Sequence, residues 1–287
     1  MENIYDIFII GGGINGAGIS RDASGRGLKV GLADMGKVGR ATSSWSTKLI
    51  HGGLRYLENY EFRLVRESLK EREVIKKIAP QITTDVPFVI PYSKQLRPYW
   101  MIQFGLFLYD NIGGNNTFPK SSKINFNKEY QNILSKQFNK GFRYFDLKVD
   151  DQKLVELNIN DAIKRGAKIY ENTRIIKCKR NKEYWEVIFE NNQVIKTKVI
   201  INASGPWIKE VMNNVIGINS PKTLRLVKGS HIITNKIYDE NVALTLQNKD
   251  KRIIFVIPYN ENSSLIGTTE VEVSSPTENH ISEIEID

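Results

Sequence analysis

The stretch from Ile4 to Asp34 constrains this chain more than any other. Ile4 to Ile10 is a short apolar run that stops at Gly11, which reads as a parallel strand buried on both faces. Gly11-Gly12-Gly13-Ile14-Asn15-Gly16 follows, with G-x-G-x-x-G spacing. Ile14 to Arg26 has helical periodicity and ends at Gly27, a residue suited to a helix C-cap. Leu28 to Asp34 is a second strand, which completes a βαβ unit of the usual length. Gly11 permits the tight turn, Gly13 lets backbone approach a pyrophosphate, and Gly16 lets the helix pack close to the strand. The helix start offers free N–H groups and the positive end of its dipole to phosphates. Asp34 ends the second strand, where a carboxylate accepts ribose hydroxyls. The unit is therefore predicted to hold a dinucleotide.

Two features favour FAD over NAD. The glycine fingerprint sits at the extreme N-terminus, and Asn202-Ala203-Ser204-Gly205-Pro206 follows a long apolar strand far downstream. Such a small-residue turn lets a second stretch of backbone approach the cofactor.

The remaining pattern alternates helices and strands. Glu61 to Ala79 is predicted as a helix whose apolar positions include Phe62, Val65, Leu69 and Ile75, and it stops before Pro80. Its other face carries Arg63, Arg66, Lys70 and Arg72 among glutamates and reads as solvated. Asp85 to Tyr92 is a strand, and Pro98 to Asp110 an apolar helix with proline at its start. Gly113 to Asn127 is rich in Gly, Asn, Ser and Lys and reads as a loop and the best internal boundary. Asp150 to Arg165 is a helix closed by Gly166. Strands follow at Lys168–Glu171, Arg174–Lys179, Tyr184–Phe189 and Val194–Asn202, then a helix from Pro206 to Val215. Leu224–Thr234, Ala243–Gln247, Arg252–Pro258 and Ser264–Thr268 complete the strands.

Composition excludes several classes. With 287 residues, the chain is long enough for two domains. The single cysteine, Cys178, rules out an intrachain disulfide, and three widely spaced histidines give no metal motif. No apolar run approaches the ~18–20 residues of a spanning helix. The acidic start, with no basic region, is not a secretory signal. These features predict a reducing, cytoplasmic setting. The net charge of +9 suits anionic partners, yet no block of like charge or basic stripe with aromatics is present, so nucleic acid is not expected.

Thr42-Ser43-Ser44-Trp45-Ser46-Thr47-Lys48-Leu49-Ile50-His51-Gly52-Gly53-Leu54-Arg55-Tyr56-Leu57-Glu58 concentrates hydroxyls, a lysine, a histidine, a glycine pair and an Arg-Tyr pair. Hydroxyls and backbone amides suit phosphate, His51 suits proton transfer near neutral pH, and Arg55 suits a phosphate or carboxylate. On these residues the chain resembles the FAD-dependent, quinone-linked aerobic sn-glycerol-3-phosphate dehydrogenases. Matching motifs are IIGGGINGAGISRDASGRGL, TSSWSTKLIHGGLRYLENYEFRLVRESLKEREV, LRPYWMIQFGLFLYD, INASGPW, LVKGSHII, NKDKRIIFVIP and IGTTEVE, in family order from Ile4 to about Glu272. Trp45 and Thr47 stand where the family has smaller residues.

The resemblance implies an α/β chain: a Rossmann-like FAD-binding domain of glutathione-reductase type with an interleaved β-rich substrate domain. It divides the chain into 1–90 with 145–215 for FAD and 91–144 with 216–287 for the substrate cap. It implies oxidation of sn-glycerol 3-phosphate to dihydroxyacetone phosphate. Electrons pass to a quinone at an anionic membrane surface, where the protein is peripheral on the inner face of the cell membrane. A homodimer is left open. An oxidase that uses oxygen and a non-catalytic FAD-binding fragment are the competing readings, because the family's chain continues past Asp287.

By the same resemblance, Gly11, Gly13, Asn15, Gly16, Asp34, Thr42, Ser43, Ser44, Lys48, Leu49, Ala203 and Gly205 line the FAD site. Arg174 and Ile175 sit near the adenine. His51 is the expected base, with a loop-orienting histidine as the alternative. Arg55 and Tyr56 contact substrate, Arg55 being otherwise a structural partner of Glu58 or Glu61. His231 is a further candidate for a substrate or flavin contact, with a satisfied core histidine as the alternative, and Arg252 and Lys228 are weaker phosphate candidates, otherwise ordinary strand-end charges. Cys178 is expected in the core. No metal is expected.

Overall fold

A computed structural model describes residues 4–114, 116–130, 133–134, 138–248 and 252–286, so Lys249 to Lys251 of NKDKRIIFVIP lie outside the described residues. The chain forms two units. One comprises Met1–Ser46, Asp150–Val227 and Glu272–Asn279; the other comprises Thr47–Val149, Lys228–Val271 and His280–Asp287.

The first unit is built on the predicted βαβ element. Its six-stranded sheet runs Lys168–Tyr170, Val30–Ala33, Tyr5–Ile10, Val194–Asn202, Trp185–Phe189, Ile175–Arg180. Tyr5–Ile10 pairs in parallel with both neighbours, and among the last three strands each runs antiparallel to the one beside it. Both faces of the central strand are covered, which is why it is apolar from Ile7 to Ile10. On one face Ile9, Val30 and Leu32 pack with Ala17 of the Ile14–Gly25 helix and Val155 and Ile159 of the Asp151–Lys164 helix. On the other, Phe8 packs with Tyr5, Val187, Phe189 and Cys178. Cys178 is thus a core residue as expected, and burial pushes its thiol up to about 12. The Asp150 carboxylate accepts from the Lys153 amide at 3.0 Å and caps the second helix.

The second unit carries an eight-stranded sheet. Its order is His231–Asn235, Ser263–Gly267, Ile253–Asn260, Ala243–Gln247, Thr83–Pro91, Lys140–Val149, Leu49–Ile50, and Ser122–Asn125 also pairs with Lys140–Val149. The Phe62–Ile78 and Tyr99–Ile112 helices cover one face through Val65, Leu69, Ile102, Leu106 and Tyr109, against Phe88, Ile90 and Phe142. The opposite face holds Val89, Phe126, Tyr238, Leu244 and Val256.

Several expectations are revised. The division falls after Ser46 and before Asp150 rather than near 90 and 144. Thr83–Pro91 and Lys140–Val149 pair along their whole length and so belong to one sheet. The stretch from Gly113 to Asn127 is no boundary, since Ser122–Asn125 adds a strand inside the second unit. Pro206–Val215 is not one regular helix; it breaks into the turn Gly205–Trp207, a short helical segment Ile208–Glu210 and a wider turn Val211–Ile216. Leu224–Thr234 is split at Gly229 into Leu226–Lys228 and His231–Asn235. Arg72 does not lie on a solvated face: it is 1% exposed and continues the buried stripe of Val65 and Leu69.

Candidate active site

In the first unit the glycine turn is fixed by close approach. Gly11 has φ +107°, and a Cβ there would lie 2.5 Å from the Ala203 carbonyl oxygen. A Cβ on Gly16 would lie 1.9 Å from the Gly11 carbonyl oxygen. The Gly11 amide donates to Ala33 at 2.8 Å and the Ala203 amide donates to Ile10 at 2.8 Å. The fingerprint and the Asn202–Gly205 turn therefore meet backbone to backbone, as the small residues there predict.

Asp34 does a second job. Its carboxylate accepts from the Gly12 amide at 2.6 Å and from the Gly36 amide at 2.8 Å, one bond per oxygen. It braces the glycine turn, and each oxygen keeps a second lone pair for a ribose hydroxyl. The Ser43 hydroxyl accepts from the Ile14 amide at 3.0 Å, which ties the Thr42–Ser44 turn to the helix start. The remaining first-turn amides have no acceptor within the helix, and Asn15 is exposed beside them. A glycine cradle closed to any Cβ, a braced acidic residue and open helix amides fit a dinucleotide such as FAD.

Arg174 is exposed and pairs with Glu210 at 3.8 Å, whereas the Ile175 side chain is buried in the core. Lys48 and Leu49 belong to the second unit. Lys48 adopts φ 61°, and its carbonyl accepts from Val149 at 2.9 Å.

The second unit encloses a chamber of about 470 Å³. Its walls are mostly apolar, from Phe88, Ile90 and Phe255 of the sheet and Leu54, Ile102 and Leu108 opposite. Into it come three of the predicted residues, His51, Arg55 and Tyr56, together with Thr47, Asp146 and Thr245. Arg55 is exposed and makes no ion pair among the described residues. The Glu58 carboxylate instead pairs with Arg97, which also donates to the Gln247 side chain at 2.9 Å.

His51 accepts at Nδ1 from the Gly53 amide at 3.0 Å. Its neutral ring therefore carries the proton on Nε2. His231 does not line the chamber itself; its Nε2 shares a 3.0 Å hydrogen bond with the hydroxyl of Thr47, which does. Burial and the nearby Lys48 charge lower the His231 pKa, so its imidazole is neutral at physiological pH. Arg252 is exposed next to Ile253, a chamber residue. Lys228 is taken by Glu285 at 2.7 Å, which removes it as an open phosphate ligand in this arrangement.

Sequence reasoning missed Asp146. It is 3% exposed, and burial pushes its carboxyl up while Arg72 pulls it down. Arg72 donates to it at 2.6 Å and the Tyr109 hydroxyl at 2.8 Å. The available signal was an acid at the inward position of a strand, in step with Phe142 and Tyr144.

A model of the FAD dependent oxidoreductase (DAO) family matches residues 6–287. Over 276 residues the chain is 44% identical to a Pseudomonas aeruginosa protein named glycerol-3-phosphate dehydrogenase, covering 95% of this chain and 54% of that one. Over 272 residues it is 46% identical to a Brucella abortus protein named D-erythritol 1-phosphate dehydrogenase, covering 93% and 54%. The solved glycerol-3-phosphate dehydrogenase from Bacillus halodurans complexed with FAD superposes with a TM-score of 0.76 at 25% identity, over 99% of this chain and 51% of that one. The chain spans about half the length of the curated relatives it matches.

Proposed function

Because the chain belongs to the FAD-dependent oxidoreductase family, we propose that it carries the nucleotide cradle and part of the substrate site of an FAD-dependent polyol-phosphate dehydrogenase. The substrate read first is sn-glycerol 3-phosphate and the product dihydroxyacetone phosphate. The observation that carries this reading is the convergence of His51, Arg55 and Tyr56 on one chamber, in a chain 44% identical to a protein named for that substrate. When bound, FAD supplies the acceptor for the hydride leaving carbon 2.

The chain's own residues account for the rest. Arg55, exposed and outside any ion pair among the described residues, matches a phosphate dianion in charge and fork geometry. Tyr56 flanks it on the same wall. His51 is the proposed proton acceptor. To accept at Nε2, the ring must shift its proton to Nδ1 and release the Gly53 amide, so substrate binding and loosening of that turn are linked. The Gly53 bond also supports a second assignment, in which His51 donates from Nε2 to the developing alkoxide and the neutral His231 takes the proton with Thr47. His51→Ala and His231→Ala separate the two: loss of the acidic limb of kcat/KM follows the residue that accepts the proton.

A four-carbon polyol phosphate is the second substrate reading. It is favoured by the relative named for D-erythritol 1-phosphate and by a chamber of about 470 Å³, ample for one more carbon. Turnover with both substrates decides between them.

The proposed electron acceptor is a quinone at an anionic membrane surface. The Tyr99–Ile112 helix exposes Trp100, Phe104 and Phe107, and Tyr60 and Phe62 are exposed as well. Aromatic side chains on a helix suit an interface, and a net charge of +9 suits anionic lipid. Among the described residues no helix is long and apolar enough to cross a membrane; the attachment proposed is peripheral, at the cytoplasmic face. Steady-state turnover with a quinone analogue that exceeds turnover with oxygen supports a dehydrogenase; the reverse makes the protein an oxidase.

A further inference from the structure

A buried polar network stands behind the His51 turn. Arg72 and Asp146 are 1% and 3% exposed and bond at 2.6 Å. Arg72 also donates to the Phe145 carbonyl at 3.0 Å and to the Asn116 side chain at 3.3 Å, and its guanidinium lies 4.1 Å from the Phe118 ring centroid. The Tyr109 hydroxyl donates to both Asp146 oxygens, at 2.8 and 2.9 Å. The same hydroxyl accepts from the Gly52 amide at 2.6 Å. His51 precedes Gly52, and Gly53 donates to His51 Nδ1 at 3.0 Å.

Burying an arginine and an aspartate together brings no evident gain in stability, since apolar residues of like volume often pack such a place as well or better. What apolar residues cannot supply is an acceptor for the Gly52 amide. The turn is also shaped to be held. A Cβ on Gly52 would lie 2.4 Å from Leu69 Cδ2 and 2.8 Å from Tyr109 Cε2, and Gly53 has φ +70°. The packing therefore leaves the Gly52 backbone against Tyr109, and the next amide faces the imidazole.

We propose that the Arg72–Asp146–Tyr109 network is a positioning device: it anchors the Gly52 amide and so fixes His51 in the tautomer with its proton on Nε2. Arg72 holds Asp146, Asp146 orients the Tyr109 hydroxyl, Tyr109 holds Gly52, and the turn presents Gly53 to Nδ1. The inference rests on the second assignment above, in which His51 donates from Nε2 and His231 takes the proton with Thr47, but its geometry is measurable without turnover.

The test is nuclear magnetic resonance of the full chain carrying ¹⁵N-labelled histidine, with His51 assigned by His51→Gln. At a pH where the ring is neutral, wild-type His51 is expected to show a protonated Nε2 and a bare Nδ1. The Gly52 and Gly53 amides are expected to exchange slowly with solvent. Tyr109→Phe keeps the ring and removes the hydroxyl. It is expected to raise the ratio of the other tautomer about fivefold, the effect of weakening one hydrogen bond. Ile257→Val, in the same core cluster but without a polar group, leaves the ratio unchanged. A Tyr109→Phe protein that folds and keeps the wild-type ratio overturns the proposal. So does rapid exchange of Gly52 in the wild type, which decides the matter even where the variant does not fold. Absence of turnover with any polyol phosphate, alongside the expected tautomer, overturns the functional reading and leaves the positioning role standing.

Discussion

Replacing Arg72 by leucine provides a quantitative test of the buried pair. The guanidinium gives Asp146 a 2.6 Å hydrogen bond in a place where both side chains are almost wholly out of water. With Arg72 gone, the carboxylate keeps only the Tyr109 hydroxyl as a neutral donor. Breaking a buried pair on one side costs about 3–5 kcal/mol, whereas replacing both partners by apolar groups is often close to neutral. Arg72→Leu is therefore expected to lose about 3–5 kcal/mol at pH 8, and Arg72→Leu/Asp146→Leu to recover most of it. The sign of the pH dependence follows from protonation. The Asp146 carboxyl is already raised by burial, and loss of the arginine raises it further above its unfolded value of about 4. The folded variant then binds more protons than the unfolded chain between those values, so its stability rises as pH falls. The deficit should shrink from pH 8 toward pH 5. Urea unfolding followed by circular dichroism at several pH values reads this directly. A loss below about 1 kcal/mol at pH 8, the size of an exposed ion pair, refutes the reasoning, as does a double variant no better than the single one.

Gly16→Ala would drive a methyl group to 1.9 Å from the Gly11 carbonyl. It is expected to weaken FAD retention at least about tenfold, about 1.4 kcal/mol, measured by equilibrium dialysis. Cys178 is 5% exposed with its thiol pushed up to about 12, so a thiol reagent at pH 8 should label it only after denaturation. Trp100→Asp with Phe104→Asp places two charges on the exposed aromatic face of the Tyr99–Ile112 helix. It should abolish sedimentation with anionic vesicles while leaving the melting curve in place.

The parts of this molecule that were legible in sequence are those whose requirements are local. The glycine turn needs residues without Cβ at Gly11 and Gly16 because backbone approaches backbone there, and that need is written at fixed spacing. The Phe62–Ile78 helix was legible from its stripe, and its end from Pro80. Arg72 and Asp146 were not, because their partnership joins a helix to a strand across 74 positions. Each left a local trace, an arginine within an apolar stripe and an aspartate within an apolar alternation, and a trace of that kind does not name its partner. The division at Ser46 and Asp150 was hidden for a related reason. No change of composition marks it, whereas the Gly- and Asn-rich stretch that resembled a linker contributes a strand through backbone hydrogen bonds open to any sequence.

The measurement that tests the account most directly is anaerobic titration of the FAD-loaded chain with sn-glycerol 3-phosphate, followed in the visible absorption of the flavin. Purified protein is expected to retain about one flavin per chain by way of its glycine cradle. The colour is expected to bleach with glycerol 3-phosphate or its four-carbon homologue and not with glycerol. A chain that holds no flavin, or holds one that stays oxidised with every polyol phosphate, contradicts the account.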